Sequence, residues 1–188
     1  MAKVRVPRRA WVDQGLRALA EGGPANVRIE TLARSLGVTK GGFYGHFADR
    51  PALLTEMLDT WEHEVTDLLI AQVDGGSQDV GAKARLRRLF DVVSVVEEDP
   101  TIGITVEFAI RDWARRDPEV ARRLRQVDRR HTDYLRSLLR EFCADELEVE
   151  TRCLILMSVR LGDHMLVADG AAHSRAEVIE RVMIQQMS

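Results

Sequence analysis

The chain has 188 residues, of which 45% are hydrophobic, 30% charged and 5% aromatic. This balance excludes a disordered or collagen-like chain, and the few aromatic side chains argue against a large β-sandwich core, so we expect a helical globular protein. Two cysteines are too few to cross-link a chain of this length, and we find neither a signal peptide nor a membrane span, so we expect a cytoplasmic protein.

The net charge of −3 conceals an uneven distribution along the chain. Residues 1–50 contain nine Lys and Arg against four acidic residues, a net +5, whereas the remainder carries 18 basic and 26 acidic residues, a net −8. A basic end on an acidic body is typical of proteins that bind nucleic acid at one end, although such asymmetry also arises without that function.

Apolar periodicity and helix-breaking residues predict about nine helices and no strand. The five prolines all lie between apolar stripes and never inside one. The predicted helices are 7–21, 28–36, 39–47, 50–74, 80–98, 101–115, 118–142, 147–168 and 175–187. Asp49, Asp117 and Ser174 are the predicted N-caps, the last in a capping box with Glu177.

Two of the long predicted helices carry a one-sided apolar stripe, with alternating spacings of four and three residues. In the first helix the stripe is Leu54, Leu58, Trp61, Val65, Leu68 and Gln72. In the second it is Val120, Leu124, Val127, His131, Tyr134 and Leu138. Each pattern predicts an amphipathic helix that buries one face.

The second and third predicted helices have the pattern of a helix-turn-helix. Ala33 is small enough to let the two helices approach, and Gly37 can take the left-handed conformation that a tight turn needs. The shared apolar core is predicted to be Leu32, Leu36, Val38, Phe43 and Phe47. The polar side chains left on the second helix suit a DNA major groove, but spacing alone equally fits a solvated surface helix in an ordinary bundle.

Residues 38–54, V-T-K-G-G-F-Y-G-H-F-A-D-R-P-A-L-L, resemble the signature of TetR-family transcriptional regulators. In that signature a Gly-Val-(Ser/Thr)-Lys-Gly turn is followed by an aromatic residue, Tyr, any residue and His-Phe, and a basic residue begins the next helix. The resemblance covers residues 8–58, and the later helices fit the family's all-helical regulatory domain in number and length. It implies a DNA-binding domain in residues 1–49 and a ligand-sensing and dimerisation domain in residues 50–188.

The resemblance also implies what the protein binds. We expect a homodimer that binds a near-palindromic double-stranded DNA operator as a repressor and releases it when an unidentified small molecule enters the second domain. No metal and no cofactor are implied. The implied DNA-binding residues are Thr39, Lys40, Gly41, Gly42, Tyr44, Gly45, His46 and Arg50.

Two glycines depart from the family pattern. The position of Gly42 commonly holds a side chain that reaches a base, and the position of Gly45 is often a bulky residue. With Gly41 they place three glycines in one predicted helix, each costing about 1 kcal/mol relative to alanine. We therefore expect a weakly formed recognition helix and some recognition of DNA shape.

The predicted helix 147–168 is apolar on almost every side, so it needs a second covering surface. The expected dimer interface is Leu161, Gly162, Val178 and Val182. Arg160, Asp163 and His164 interrupt this helix and must find partners, either in an ion-pair cluster at the subunit interface or in the wall of a ligand cavity.

The small-molecule site can be assigned only through the family's pocket-lining helices and through polar residues in apolar stripes. The candidate ligand-binding residues are Phe90, Glu107, Phe108, Trp113, His131, Tyr134 and His164. Aromatic residues at helical spacing and a histidine in an apolar stripe are also the ordinary contents of a helical core, so a purely structural role is the alternative.

Two other classes of protein were weighed. An enzyme with a carboxylate-bridged metal pair would need two Glu-x-x-His units, and Asp128-x-x-His131 is the nearest match. Metalloprotease, nucleotide-binding and serine-hydrolase motifs are also missing from the sequence, so we do not expect an enzyme. A helical protein-binding adaptor that does not bind DNA is the second alternative.

Overall fold

The computed structural model describes residues 6–75, 81–166 and 173–187, and within these ranges all regular structure is helical. The helices in chain order are α1 (Arg8–Gly22), α2 (Ile29–Ser35), α3 (Lys40–Tyr44), α4 (Arg50–His63), α5 (Leu69–Asp74), α6 (Ala82–Glu97), α7 (Ile104–Ala114), α8 (Pro118–Leu139), α9 (Glu146–Met165) and α10 (Arg175–Gln186). A short 3₁₀ turn, Pro24–Asn26, follows α1, and a π-helical turn, Glu64–Leu68, joins α4 to α5. The predicted all-α fold is confirmed.

Most predicted helix ends lie close to the observed ones, while residues 80, 167 and 168 fall outside the described residues. Asp49 accepts a hydrogen bond from the Ala52 N–H at 2.8 Å, and Asp117 accepts one from the Glu119 N–H at 3.0 Å. Ser174 forms the predicted capping box of α10. Asp145 also caps α9 by accepting from two backbone N–H groups, a cap that the sequence analysis missed.

The recognition helix is shorter than predicted, because α3 ends at Tyr44 and not at residue 47. The Phe43 carbonyl accepts from both the His46 N–H, at 2.9 Å, and the Phe47 N–H, at 3.0 Å, so the last turn tightens. This tightening lets the Phe47 ring stack on Phe43 with 5.2 Å between ring centroids. Gly45, the residue after α3, has a low helix propensity, which agrees with the early end of the helix.

The π-helical turn changes which residues of the predicted helix 50–74 are buried. A π turn holds an extra residue, so the buried face advances by one position after Val65. Leu69 and Val73 are buried, whereas Leu68 is 51% exposed and Gln72 is exposed. The predicted stripe was therefore wrong at Leu68 and Gln72, because its spacing assumed an uninterrupted α-helix.

Contacts between residues divide the described chain into two compact units. The first unit contains residues 6–69 and 93–127. In it α1 packs against both α4 and α7, and its core includes Trp11, Leu16, Leu19, Met57, Trp61, Val106 and Ile110. Helix α7 therefore contributes directly to the packing of α1.

The second unit contains residues 70–75, 81–92, 128–166 and 173–187. Its core consists of Leu86, Leu135, Leu138, Leu139, Cys143, Val149, Cys153, Leu156 and Met183. Both cysteines are buried and free. The predicted boundary between residues 49 and 50 separates two functional domains. The division of the chain into packing units does not test that boundary. None of the described helices combines the length and the apolar character required to cross a membrane.

Candidate nucleic-acid interface

The short helix α3 is held from beneath by aromatic packing. Phe43 is fully buried, and its ring meets Trp11 of α1 edge to face, with 5.5 Å between centroids and 74° between planes. Such pairs stabilise by about 0.5–1.5 kcal/mol beyond the area they bury. Sequence analysis predicted Phe43 and Phe47 in this core but missed Trp11, whose signal was its spacing with Leu16 and Leu19 along the first helix.

The turn between α2 and α3 has the predicted geometry. Gly37 has a φ of 67°, the left-handed conformation that side chains other than glycine rarely adopt. The Val38 N–H donates to the Ala33 carbonyl at 2.9 Å, and Ala33 is buried where the helices meet. The predicted roles of Gly37 and Ala33 in the helix-turn-helix are confirmed.

Five of the eight predicted DNA-binding residues are exposed; we call them the outward group. They are Thr39, Lys40, Gly41, Tyr44 and Gly45. Thr39 precedes α3 in an extended conformation, and its hydroxyl makes no capping bond to the helix. Tyr44 is 54% exposed while its ring packs edge to face on Phe43, at 5.3 Å between centroids. The aromatic core thus also supports an exposed phenol.

Two other predicted DNA-binding residues face α1. A Cβ added at Gly42 would contact Trp11 at 3.8 Å and Val38 at 3.9 Å. The first atom of a side chain at this position would therefore lie against the core. The His46 ring is half-buried, with its Nε2 2.9 Å from the Val6 carbonyl oxygen. The His46 ring therefore holds the turn after α3 near the residues that precede α1, and Gly42 faces the Trp11 ring of α1.

The last of the eight, Arg50, is half-buried at the start of α4. Its Nε donates to the Val27 carbonyl at 2.7 Å, and an Nη donates to the Pro24 carbonyl. The guanidinium therefore holds the connection between α1 and α2 against α4. Carbonyl oxygens carry no formal charge, so these bonds leave the positive charge of Arg50 without a neutralising carboxylate.

Arg8 is a positioning residue that the sequence analysis did not identify. Its guanidinium forms an ion pair with Glu56 of α4 and donates to the His46 carbonyl. It also lies 4.2 Å from the centroid of the Phe47 ring. One side chain therefore joins α1, the turn after α3 and α4. The pair with Glu56 raises the pKa of Arg8.

Lys40 is the charged member of the outward group, and it is paired. Its Nζ forms an ion pair with Glu30, which lies in the first turn of α2. Both side chains are exposed. The hydrogen bond between them lowers the pKa of the Glu30 carboxyl and raises the pKa of Lys40. Glu30 was not among the predicted site residues, because its pairing depends on the turn that brings α2 and α3 together.

The candidate ligand-binding residues are divided between the two units. Glu107, Phe108 and Trp113 belong to the first, and Phe90, His131, Tyr134 and His164 to the second. Glu107 is 5% exposed and pairs with Arg111 at 2.7 Å. Tyr134 donates to the Asp74 carboxylate at 2.6 Å, and burial with this bond raises the pKa of Tyr134.

Trp113 lines a surface cleft of about 390 Å³ in the first unit. The cleft is bounded by residues 22–25 after α1 and by Asp112, Arg116 and Asp117 around the end of α7. Arg116 pairs with Asp112, and Asp117 caps α8, so these charged groups already have partners. Among residues 6–75, 81–166 and 173–187, no three His, Cys, Asp or Glu side chains lie close enough together to bind a metal ion.

The predicted interface residues are only partly covered within one chain. Leu161, Gly162 and Val182 are half-buried, and Val178 is 50% exposed. Asp163, one of the polar residues that interrupt α9, pairs with Arg175 at the start of α10. A partner for Asp163 therefore exists within the same chain.

Comparison with known proteins identifies the N-terminal region. Residues 12–57 match the family model of the bacterial regulatory proteins of the tetR family. This match covers α1 from Val12 onward, the helix-turn-helix with Phe43 and Phe47, and the first part of α4, and it begins one residue after Trp11. No curated protein sequence matches the chain significantly.

Several solved structures share the fold. A transcriptional regulator from Rhodococcus sp. Rha1 is 19% identical with a TM-score of 0.70, covering 97% of this chain and 94% of its own. A protein from Mesorhizobium loti MAFF303099 assigned to the TetR family of transcriptional regulators is 18% identical with a TM-score of 0.71, covering 96% and 92%. A protein from Streptomyces coelicolor A3(2) assigned as a transcriptional regulator is 22% identical with a TM-score of 0.59, covering 94% and 97%.

Identities this low establish the fold and nothing finer, whereas the family model assigns the helix-turn-helix itself. Residues 12–57 are therefore similar to the tetR family of bacterial regulatory proteins, and the described chain shares its fold with solved structures assigned to TetR-family transcriptional regulators.

Proposed function

We propose that the protein is a homodimeric transcriptional repressor that binds a near-palindromic DNA operator and releases it when a small molecule binds the region after residue 50. The observation that carries the proposal is the outward group on α3, exposed on a tetR-family helix-turn-helix whose opposite face is fixed by Phe43 and Trp11. A salt-dependent gel shift on DNA upstream of the gene tests it, and a helical adaptor would show no shift.

Charge and geometry support DNA as the partner. Residues 1–50 carry a net +5 on a chain whose remainder carries −8. Lys40 and Tyr44 lie one helical turn apart, so their polar ends reach the same side of α3. An ammonium, a phenol and the Thr39 hydroxyl are suited to phosphate oxygens, which take half or more of the hydrogen bonds in protein–DNA complexes.

The exposed face of α9 supports a dimer. Residues at alternating spacings of four and three along this helix are exposed or half-buried, on the side opposite Val149, Cys153 and Leu156. They are Leu147, Thr151, Leu154, Ser158, Leu161 and Met165. Four of these six residues are apolar, and Leu154 is 69% exposed, which favours a second surface that covers it.

A second copy of the chain is the occupant that fits this face. A Cβ added at Gly162 would meet nothing within 4 Å in its own chain, so there is room for a partner helix to approach closely. Val178 and Val182 of α10 add apolar surface one helical turn apart. Two copies would supply the pair of helix-turn-helix units that a two-fold operator needs.

The small-molecule response is supported by the resemblance and by paired polar groups that can orient a ligand. Glu107 is buried and pairs with Arg111 in the first unit, and the half-buried Tyr134 donates to the exposed Asp74 in the second. We propose both pairs as parts of the ligand-responsive region.

Removing either positive charge should weaken DNA binding without changing sequence preference. We expect Lys40→Ala and Arg50→Ala to lower the slope of log affinity against log salt concentration by up to about 1 per subunit, the value for one full phosphate contact. Arg50→Ala should also lower the melting temperature, because two backbone carbonyls lose their donor. Fluorescence anisotropy at several salt concentrations and thermal unfolding check both results.

Lys83→Ala is the matched control, since Lys83 lies on α6 in the second unit and should leave the slope unchanged. Tyr44→Phe tests the hydroxyl alone, because its ring can still pack on Phe43. An unchanged slope in both Lys40→Ala and Arg50→Ala would remove these residues from the interface.

Charge placed in the proposed interface should prevent dimerisation. Leu161→Glu and Val182→Glu are expected to give monomers or unfolded protein, because an unpaired carboxylate in an apolar contact costs several kcal/mol. Leu154→Glu should give a folded monomer, since this side chain is largely exposed in the single chain. Sedimentation velocity measures the state, and DNA affinity should fall with the dimer.

Val95→Glu is the control for added charge, because Val95 is an exposed apolar residue on α6 in the first unit. It should remain dimeric. Stable, soluble dimers from all three interface variants would place the interface elsewhere.

Gly45→Ala should separate protein stability from DNA affinity. Gly45 has a φ of −75° and a ψ of −12°, and an added Cβ would meet only the Gly42 carbonyl oxygen at an ordinary 3.5 Å. Alanine fits this backbone, so the free energy of unfolding should rise by about 0.5–1 kcal/mol through the lower entropy of the unfolded chain. The methyl group would point away from the chain, where we expect it to clash with DNA and weaken binding.

Melting temperature and operator affinity of the same preparation decide this prediction. A variant that is both more stable and tighter-binding would show that no close approach of DNA requires glycine at residue 45.

A further inference from the structure

Lys40 supplies the positive charge of the outward group, and a neighbouring carboxylate neutralises it. Of the five outward residues, only Lys40 is charged. Its Nζ is bound by Glu30, which stands on the preceding helix ten residues earlier in sequence. In the free protein, the group best placed to meet a phosphate is therefore already occupied by an anion.

The other basic residues near α3 are held differently. Arg50 binds two uncharged carbonyl oxygens, and Arg8 is held by Glu56 beside the Phe47 ring. Those contacts fix α1, α3 and α4 to one another, so breaking them would disturb the fold. The Glu30–Lys40 pair joins two exposed side chains, and pairs of this kind contribute little to stability. Its main effect must then lie in what Lys40 can bind.

We propose that Glu30 is an internal competitor of DNA, an affinity-setting residue that occupies the Lys40 ammonium and must be displaced by a phosphate. The inference rests on the proposed DNA-binding function and deepens it. A phosphate that takes Lys40 lies beside the displaced carboxylate, so Glu30 opposes binding both by holding the ammonium and by repelling the phosphate.

The competition acts on phosphate contacts, which do not read sequence. Glu30 therefore lowers affinity for operator and for unrelated DNA by the same factor, and it reduces the salt dependence of both. With Glu30 in place, Lys40 neutralises the phosphate charge only in part, so fewer of the cations condensed on the DNA are released on binding. Removing the carboxylate should strengthen the lysine contact in each subunit.

The experiment compares wild type, Glu30→Gln, Lys40→Ala and the double variant. The probes are a duplex from the gene's upstream region and a random-sequence duplex of the same length, measured by anisotropy over a range of salt concentrations. Glu30→Gln should bind both duplexes severalfold more tightly at low salt, with the ratio between them unchanged. The slope of log affinity against log salt should steepen by a fraction of the roughly 0.9 per subunit that one full phosphate contact contributes.

Glu21→Gln is the matched control for loss of one negative charge. Glu21 is exposed in the last turn of α1, about 20 Å along that helix from Arg8, which bonds to the turn after α3. Its affinity and slope should equal those of wild type. A gain as large as that of Glu30→Gln would reveal a general charge effect and overturn the assignment to Glu30.

The double variant distinguishes competition from simple repulsion. If Glu30 acts mainly by occupying Lys40, Glu30→Gln gains much less in the Lys40→Ala background than in wild type. An equal gain in the two backgrounds, or no gain in wild type, would overturn the proposal. If neither wild type nor Glu30→Gln binds either duplex, the proposed function is wrong and the inference falls with it.

The pair itself can be tested without DNA. NMR titration of the Glu30 carboxyl in the free protein should give a pKa below the ordinary glutamate value, and Lys40→Ala should raise it towards that value. An identical titration in the two proteins would show that the pair does not form in solution and would overturn the proposal.

Discussion

The burial of Phe43 is the contact on which the proposed DNA-binding surface depends. Helix α3 has five residues, two of them glycine, and isolated helices shorter than about 12 residues are already marginal in water. Local propensity therefore cannot maintain it. Phe43 packs against Trp11 and Phe47, so the core supplies the stability that the helix lacks. The outward group stays exposed on α3 because Phe43, which lies among these residues in the sequence, is anchored in the core.

The two sides of α3 accordingly have different roles. On the inner side, Gly42 and His46 lie against α1, while Arg8 and Arg50 hold α1, the α1–α2 connection and α4 in place. On the outer side, the polar groups of Lys40 and Tyr44 are displayed to solvent. A basic residue in such a motif can thus stabilise the fold. Arg50 does so through backbone carbonyl oxygens, and Arg8 does so through the Glu56 carboxylate and the Phe47 ring. Lys40 instead pairs with an exposed carboxylate, which we propose as a competitor of DNA.

Much of this was predictable from the sequence because the signals are local. Gly37 between two short helices, the caps at Asp49 and Ser174, and the spacing of the apolar residues each depend on a few neighbouring positions. The outward residues Thr39, Lys40 and Tyr44 also follow from the motif. Helix α9 was predicted to need a second covering surface, and among the described residues Leu147, Leu154 and Met165 of this helix are exposed.

The remainder depended on residues distant in sequence. Trp11 contacts Phe43, Arg8 pairs with Glu56, and Glu30 pairs with Lys40. The spacing of residues along the sequence does not predict any of these three contacts. The π-helical turn after α4 shifts the buried face from Leu68 to Leu69. This shift was not predicted, because the extra residue in a π turn has no signal in the amino-acid composition. Arg50 was predicted from the motif to meet phosphate, whereas its hydrogen bonds to Val27 and Pro24 became visible only in three dimensions.

We propose that the outer face of α3 binds DNA while its inner face fixes the helix to α1. Amide chemical-shift mapping of the isotope-labelled protein, titrated with duplex DNA from upstream of its gene, would test both roles at once. We expect the largest changes at Thr39, Lys40, Tyr44 and Gly45, with small changes in the amides of the buried core around Trp11. Changes concentrated in the second unit, with α3 unaffected by bound DNA, would contradict it.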